Sequence, residues 1–92
     1  MRKNCDNVSQ ILKALSHPQR LVILCYLSEG SRTVSEIEDF CGMSQSATSQ
    51  FLVRMKLEGL VSSEKVGKFV TYRIDDSRVE ELVSSLHHIF CR

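Results

Sequence analysis

The sequence predicts a mainly α-helical domain with one small β-hairpin, and three observations carry that prediction. Apolar residues recur at helical spacing through most of the chain, cap and stop signals divide them into five segments, and one stretch around Gly67-Lys68 switches to strand-like alternation. With 92 residues, 42% of them hydrophobic, the chain is long enough for one compact core and short for two, so residues 1–92 are read as a single domain.

In the first segment Val8, Ile11, Leu12 and Leu15 fall at i, i+3, i+4 and i+7, one side of an amphipathic helix that Cys5 extends. Ser16-His17-Pro18-Gln19 combines a cap residue with an early proline, the start signal of a second helix. Its Leu21-Val22-Ile23-Leu24-Cys25-Tyr26-Leu27 is apolar nearly all round, as a central helix requires. Ser28-Glu29-Gly30-Ser31 ends it, with Gly30 able to take the left-handed backbone that stops a helix.

Thr33-Val34-Ser35-Glu36 has the pattern of a capping box, in which the hydroxyl and the carboxylate each accept from an otherwise unpaired backbone N–H. The third helix it opens runs to about Cys41, because Gly42-Met43 breaks it and Ser44 offers a new N-cap two residues later. That is helix-turn-helix spacing. The fourth helix continues through Ala47, Leu52 and Met55 to about Leu57, with Glu58-Gly59-Leu60 as its exit. Val61 to Val66 then faces Phe69-Val70-Thr71-Tyr72-Arg73-Ile74 across Gly67-Lys68, a two-residue loop that suits a type II′ turn and a half-exposed ribbon. Asp75-Asp76-Ser77 precedes the last helix, for which Ser77 and Glu80 read as a second capping box, and Val79, Leu82, Val83, Leu86, Ile89 and Phe90 form its stripe.

Four helices, a β-ribbon and a closing helix make a winged helix-turn-helix. The central helices already supply a core, so the stripes of the first and last helices are expected to pair in part with a second copy, giving a homodimer. The competing expectation is that both stripes complete the core of a single copy.

The net charge of +1 conceals segregation. Residues 1–32 and 44–73 each carry +3, whereas residues 33–43 carry −3 and residues 74–92 carry −2, so a basic centre can meet phosphate while the molecule stays near neutral. No apolar run approaches a membrane span and the amino-terminal residues do not form a signal-peptide core, so a cytoplasmic protein without a membrane partner is expected. Cys5, Cys25, Cys41 and Cys91 lie far apart with no CxxC pair, which fits thiols better than a disulfide scaffold. No glycine-rich phosphate loop occurs, the Cys/His proximity at residues 87–91 is too slight a signal for nucleophilic catalysis, and neither an enzyme nor a cofactor is expected.

The fourth helix points to double-stranded DNA. Its start is crowded with Ser44, Gln45, Ser46, Thr48, Ser49 and Gln50 and has no early acid. In a major groove the amino-terminal residues of such a helix reach base edges, where Gln pairs with adenine and Ser with several bases. Gln45, Ser46, Ser49 and Gln50 are the expected base contacts, with Ser44 at the helix start. Arg54 and Lys56 later on the helix, and Lys65 and Lys68 by the hairpin tip, are placed to meet phosphates.

Ala14-Leu15-Ser16-His17-Pro18-Gln19-Arg20-Leu21-Val22-Ile23-Leu24, Val34-Ser35-Glu36-Ile37, Ser44-Gln45-Ser46-Ala47-Thr48-Ser49-Gln50 and Glu58-Gly59-Leu60-Val61 together resemble the ArsR/SmtB family of bacterial dimeric repressors, over nearly the whole chain. Ile23-Leu24-Cys25, Ser44-Gln45-Ser46-Ala47 and Cys91 after Leu86-His87-His88-Ile89-Phe90 look like the BigR, SqrR and HlyU branch. The resemblance implies a homodimer on an inverted-repeat operator. It also implies that Cys25 and Cys91 approach each other and sense persulfide or oxidant, with oxidation releasing DNA; HlyU-like members instead relieve silencing. Cys91, beside His87, His88 and Arg92, has surroundings that favour a thiolate, while Cys5 and Cys41 have no assigned partner. Phe51 stands where family members often have His, so it is expected to pack inward.

Metal sensing is the family's other activity, and the ligands for it are incomplete. Asp76-Ser77-Arg78 puts a cation where zinc sensors continue Asp-x-His, and the third helix has only Cys41 where arsenic and cadmium sensors have paired cysteines. His88 and Cys91, three apart, are the better residual pair, since the adjacent His87 and His88 diverge on a helix. A winged helix that binds protein rather than DNA is the remaining alternative, distinguished by the salt dependence of duplex binding.

Overall fold

The computed structural model describes residues 2–90. In chain order the elements are α1 (Arg2–Leu15), α2 (Pro18–Leu27), β1 (Arg32–Thr33), α3 (Val34–Cys41), α4 (Gln45–Leu57), β2 (Val61–Val66), β3 (Phe69–Ile74) and α5 (Ser77–Phe90). Five helices and a small antiparallel sheet form a winged helix-turn-helix, as expected. Cys91 and Arg92 lie outside the described residues.

The apolar α2 is the hub. Ile23, Leu24 and Leu27 are buried against Ile37 of α3, Leu52 and Met55 of α4, Val61 of β2, Tyr72 and Ile74 of β3, and Val79 and Val83 of α5. Each fully buried aliphatic side chain contributes on the order of 1.5–3 kcal/mol, so this one cluster holds the helices and the ribbon together. Its start is capped by His17 rather than Ser16: the Nδ1 of His17 accepts the backbone N–H of Gln19 at 3.2 Å, and Pro18 fills the first helical turn.

The helix-turn-helix forms at the predicted positions. Thr33 and Glu36 make the capping box, with bonds of 3.1 Å and 2.9 Å to each other's backbone N–H. Gly42 closes α3 in the left-handed conformation, φ 64°, and Ser44 then caps α4 by accepting the N–H of Ala47 at 3.1 Å. In the ribbon, β2 pairs with β3 from Val61↔Ile74 to Val66↔Phe69. Gly67 has φ 62° and no non-glycine described residue has positive φ, which fits type II′ and excludes type I′.

Three local expectations change. The ribbon is not two-stranded: Arg32 and Thr33 pair with Tyr72 and Thr71, so the sheet has the order β1-β3-β2. Two residues are too few to show a period, and Thr33 serves at once as strand end and N-cap. The cap of α5 is Asp76, whose carboxylate accepts the N–H of Arg78 at 2.9 Å; Ser77 is already helical, so the cap lies one residue earlier than expected and Val79 at its third position cannot complete a box. Finally, the alternation of the ribbon holds only at its base, where Tyr72 and Ile74 are buried and Arg73 exposed, while both faces of the tip are open.

The terminal stripes divide. Leu15 on α1 and Val79 and Val83 on α5 enter the core, whereas Val8, Leu12, Ile89 and Phe90 stay about half exposed or more.

Candidate nucleic-acid interface

Helix α4 stands proud of the core on one face. Thr48, Leu52 and Met55 are buried, and Thr48 satisfies its hydroxyl by donating to the carbonyl of Ser44 at 2.8 Å. That burial turns Gln45, Ser46, Ser49 and Gln50 outward, all exposed. With no acid in the first turn, the positive end of the helix dipole and four hydrogen-bonding side chains face solvent together. Ser44 Oγ is used as an acceptor by the cap, which leaves its hydroxyl hydrogen to donate outward.

Two clefts flank α4. In the first, about 490 Å³, Gln45 and Ser49 meet Lys68, Phe69 and Val70 of the ribbon across Thr33 and Glu38. The second is about 730 Å³ and places Ser49, Gln50 and Arg54 opposite Lys13, His17 and Arg20. Gln45 and Lys68 are therefore brought to one cleft and Gln50 and Arg54 to the other, with Ser49 lining both and Ser46 neither. Lys65 is exposed on β2 opposite Val70 and lines neither.

The cations differ in availability. Lys68 lies 5.8 Å from the Phe69 ring centre, beside the turn, with its side chain exposed. Arg54 is exposed but its Nε is 3.8 Å from a carboxylate oxygen of Glu58. Lys56 is exposed, and its Nζ donates to Ser63 Oγ at 2.6 Å, tying α4 to β2. Sequence reasoning did not place Lys13 and His17, which line the second cleft because α1 and the start of α2 come up beside α4. The basic residues of 1–32 were visible, but no local signal says which face they join. Phe51 does turn inward, half-buried against the His17 ring at 5.1 Å between centres.

Among the thiols, Cys25 is half-buried on α2 and packs against the core, and Cys5 is exposed on α1. Burial pushes the Cys41 thiol above its ordinary value, away from a reactive thiolate. α5 packs on α2, the helix that carries Cys25. Arg78 folds back over Asp76 at 3.0 Å and 3.3 Å, and its side-chain bonds hold the Asp76 carboxyl below the usual range. Among the described residues, no three His, Cys, Asp or Glu side chains gather as a metal set. No described helix is long and apolar enough to cross a membrane.

Residues 17–63 match the family model for bacterial regulatory proteins of the arsR family. The chain is 37% identical to the transcriptional regulator YgaV of Escherichia coli over 99% of its own length and 93% of that protein. It is also 37% identical to the biofilm growth-associated repressor of Xylella fastidiosa, covering 99% of this chain and 80% of that one. Reduced HlyU from Vibrio cholerae superposes with a TM-score of 0.92 at 34% identity, covering 100% of this chain and 97% of that one. With its capped recognition helix, its ribbon and these relatives, the chain belongs to the ArsR/SmtB family of DNA-binding winged helix-turn-helix transcriptional regulators.

Proposed function

We propose that the chain is a cytoplasmic, homodimeric repressor that sets two copies of α4 into successive major grooves of an inverted-repeat operator. The observation carrying this reading is the exposed, acid-free face of Gln45, Ser46, Ser49 and Gln50 at the start of a helix whose other side is locked into the core. Gln45, Ser46, Ser49 and Gln50 read base edges, Ser44 donates to backbone, and Arg54, Lys65 and Lys68 meet phosphates. The half-exposed Val8, Leu12 and Ile89 supply apolar surface for the second copy. A homodimeric winged helix-turn-helix DNA-binding domain from Mycobacterium bovis, 32% identical with a TM-score of 0.79, supports that assembly.

The experiment is selection of duplexes from a random pool, followed by affinity measurement across salt concentrations. An inverted repeat with half-sites about one helical turn apart, bound less tightly as salt rises, is expected. Recovery of no preferred sequence, or binding indifferent to salt, overturns the reading and favours a protein-binding role.

Cys25 and Cys91 form the sensing pair in this reading. Peroxide takes two electrons from the two thiols and yields a disulfide and water, while two sulfane sulfurs of a polysulfide bridge a wider gap, one inserting between the thiols as a trisulfide and the other leaving as hydrogen sulfide. Packing of α5 on α2 supports the pairing, since Cys91 follows directly after α5. Either bridge ties α5 to α2 and shifts the distance between recognition helices, so DNA is released. Cys25→Ser and Cys91→Ser are each expected to leave operator binding by the reduced protein intact and to abolish its response to oxidant, read by gel shift alongside intact mass. An unchanged response in either variant removes that cysteine from the pair.

A further inference from the structure

The carboxylate of Glu58 stands at an electrostatically awkward place. From Gln45 to Leu57 the recognition helix contains no acid, and Glu58 follows at its carboxyl-terminal cap, where the helix dipole disfavours negative charge. It is held there by Arg20 in the first turn of α2. Both terminal nitrogens of the guanidinium bond to the two oxygens of Glu58, one at 3.3 Å. The Arg20 side chain is only 13% exposed and its Nε is buried without a hydrogen-bond partner. A cation so far out of water depends on its carboxylate, and the planar fork fixes the orientation of both.

Glu58 has a second neighbour. The oxygen that accepts from Arg20 Nη1 also lies 3.8 Å from Arg54 Nε, one turn back on α4, whose side chain is 74% exposed. Arg54 is one of the residues placed to meet phosphate, so a fixed negative charge sits beside it.

We propose that Glu58, anchored by Arg20, is a specificity-determining residue: it restrains Arg54 from the phosphate backbone and sets the tilt of α4. This rests on the DNA-binding reading above. Binding to unmatched DNA is almost wholly cation–phosphate attraction, so a carboxylate that takes up part of one cation subtracts directly from it. Binding to a matched duplex also draws on the base contacts of residues 45–50, which require α4 at a fixed angle. Burial of Thr48 and Leu52 seats the first half of that helix on the core, and the Arg20–Glu58 brace holds its other end. The net effect is a lower background with the matched complex preserved.

The test uses the whole protein, a duplex selected by it and a scrambled duplex of equal length. Glu58→Gln is expected to raise affinity for the scrambled duplex about five-fold near 0.1 M salt and to steepen its log–log salt slope by about 0.5–0.9, the larger part of one phosphate's worth. Affinity for the selected duplex stays level or falls, and adding Arg54→Gln cancels the gain on scrambled DNA. Equal weakening on both duplexes with an unchanged slope, the signature of a merely structural role, overturns the proposal. Should Glu58→Gln fail to fold by thermal melt, Arg54→Gln and Lys68→Ala carry the test in the otherwise unaltered protein. Arg54→Gln is expected to flatten the salt slope by less than half as much as Lys68→Ala, and equal flattening overturns the proposal. No duplex binding by the unaltered protein overturns this inference and the reading beneath it; normal binding with no effect of Glu58→Gln overturns this inference alone.

Discussion

At the level of single residues, partners close in sequence were legible and partners far apart were not. The polar start of α4 was readable because Ser, Gln and Thr in a capped helix without acids announce an exposed face. The Arg20–Glu58 brace was not, because its members are 38 positions apart and nothing local pairs them. The same holds for the bond from Lys56 to Ser63, which joins α4 to β2. Gln50→Ala is expected to lower discrimination between single-base operator variants by roughly ten-fold, about 1.4 kcal/mol, measured by competition; an unaltered base preference removes it from the reading set. Lys68→Ala is expected to weaken matched and unmatched duplexes alike and to flatten the salt slope by about one. Acidity gives a further test at Asp76. Arg78 lowers its carboxyl in the folded protein, so its contribution is fully present above the ordinary carboxylate value and is lost as pH falls through the lowered one. Asp76→Ala is expected to cost about 1 kcal/mol at neutral pH, as lost caps do, and the gap in melting temperature should close on acidification below pH 4. A gap that stays constant with pH would show that the charge is irrelevant.

At the level of elements, the stops were as informative as the stripes. Gly42 shows why: a helix must reverse within two residues, and φ of 64° is open to glycine at no steric cost. A methyl group there would meet nothing within 4 Å, so the cost of Gly42→Ala is one of backbone alone. It is expected to be about 1 kcal/mol, with Gly42→Asn milder, in denaturant unfolding. A loss of several kcal/mol would mean that the turn is crowded rather than merely left-handed. The element that sequence reading missed was the shortest, and one helix start was misplaced. β1 is two residues long and owes its existence to β3, whose pairing edge supplies the hydrogen bonds. The start of α5 slipped by one because Asp76 and Ser77 are both good caps and only the folded chain chooses between them.

For the whole molecule, the amphipathic stripes were legible but their division was not. Periodicity marks a face as apolar without saying whether the same copy or another one covers it. Leu15, Val79 and Val83 went to the core, while Leu12 and Ile89 remained about half exposed. Leu12→Glu combined with Ile89→Glu is therefore expected to shift sedimentation from dimer to monomer at micromolar concentration. The melting of the isolated fold should change little, because both side chains already face solvent. A dimer that survives both changes would place the interface elsewhere. The short strand at Arg32 and Thr33 bears on the molecule's grip as well. By stitching the entrance of α3 to the middle strand, it couples the ribbon to the helix-turn-helix, so that on the DNA-binding reading the two meet a duplex as one piece, like the jaws of a caliper. If that reading holds, an operator with one base pair inserted between the steps that each jaw meets is expected to be out by about 3.4 Å and to bind only if the DNA itself deforms.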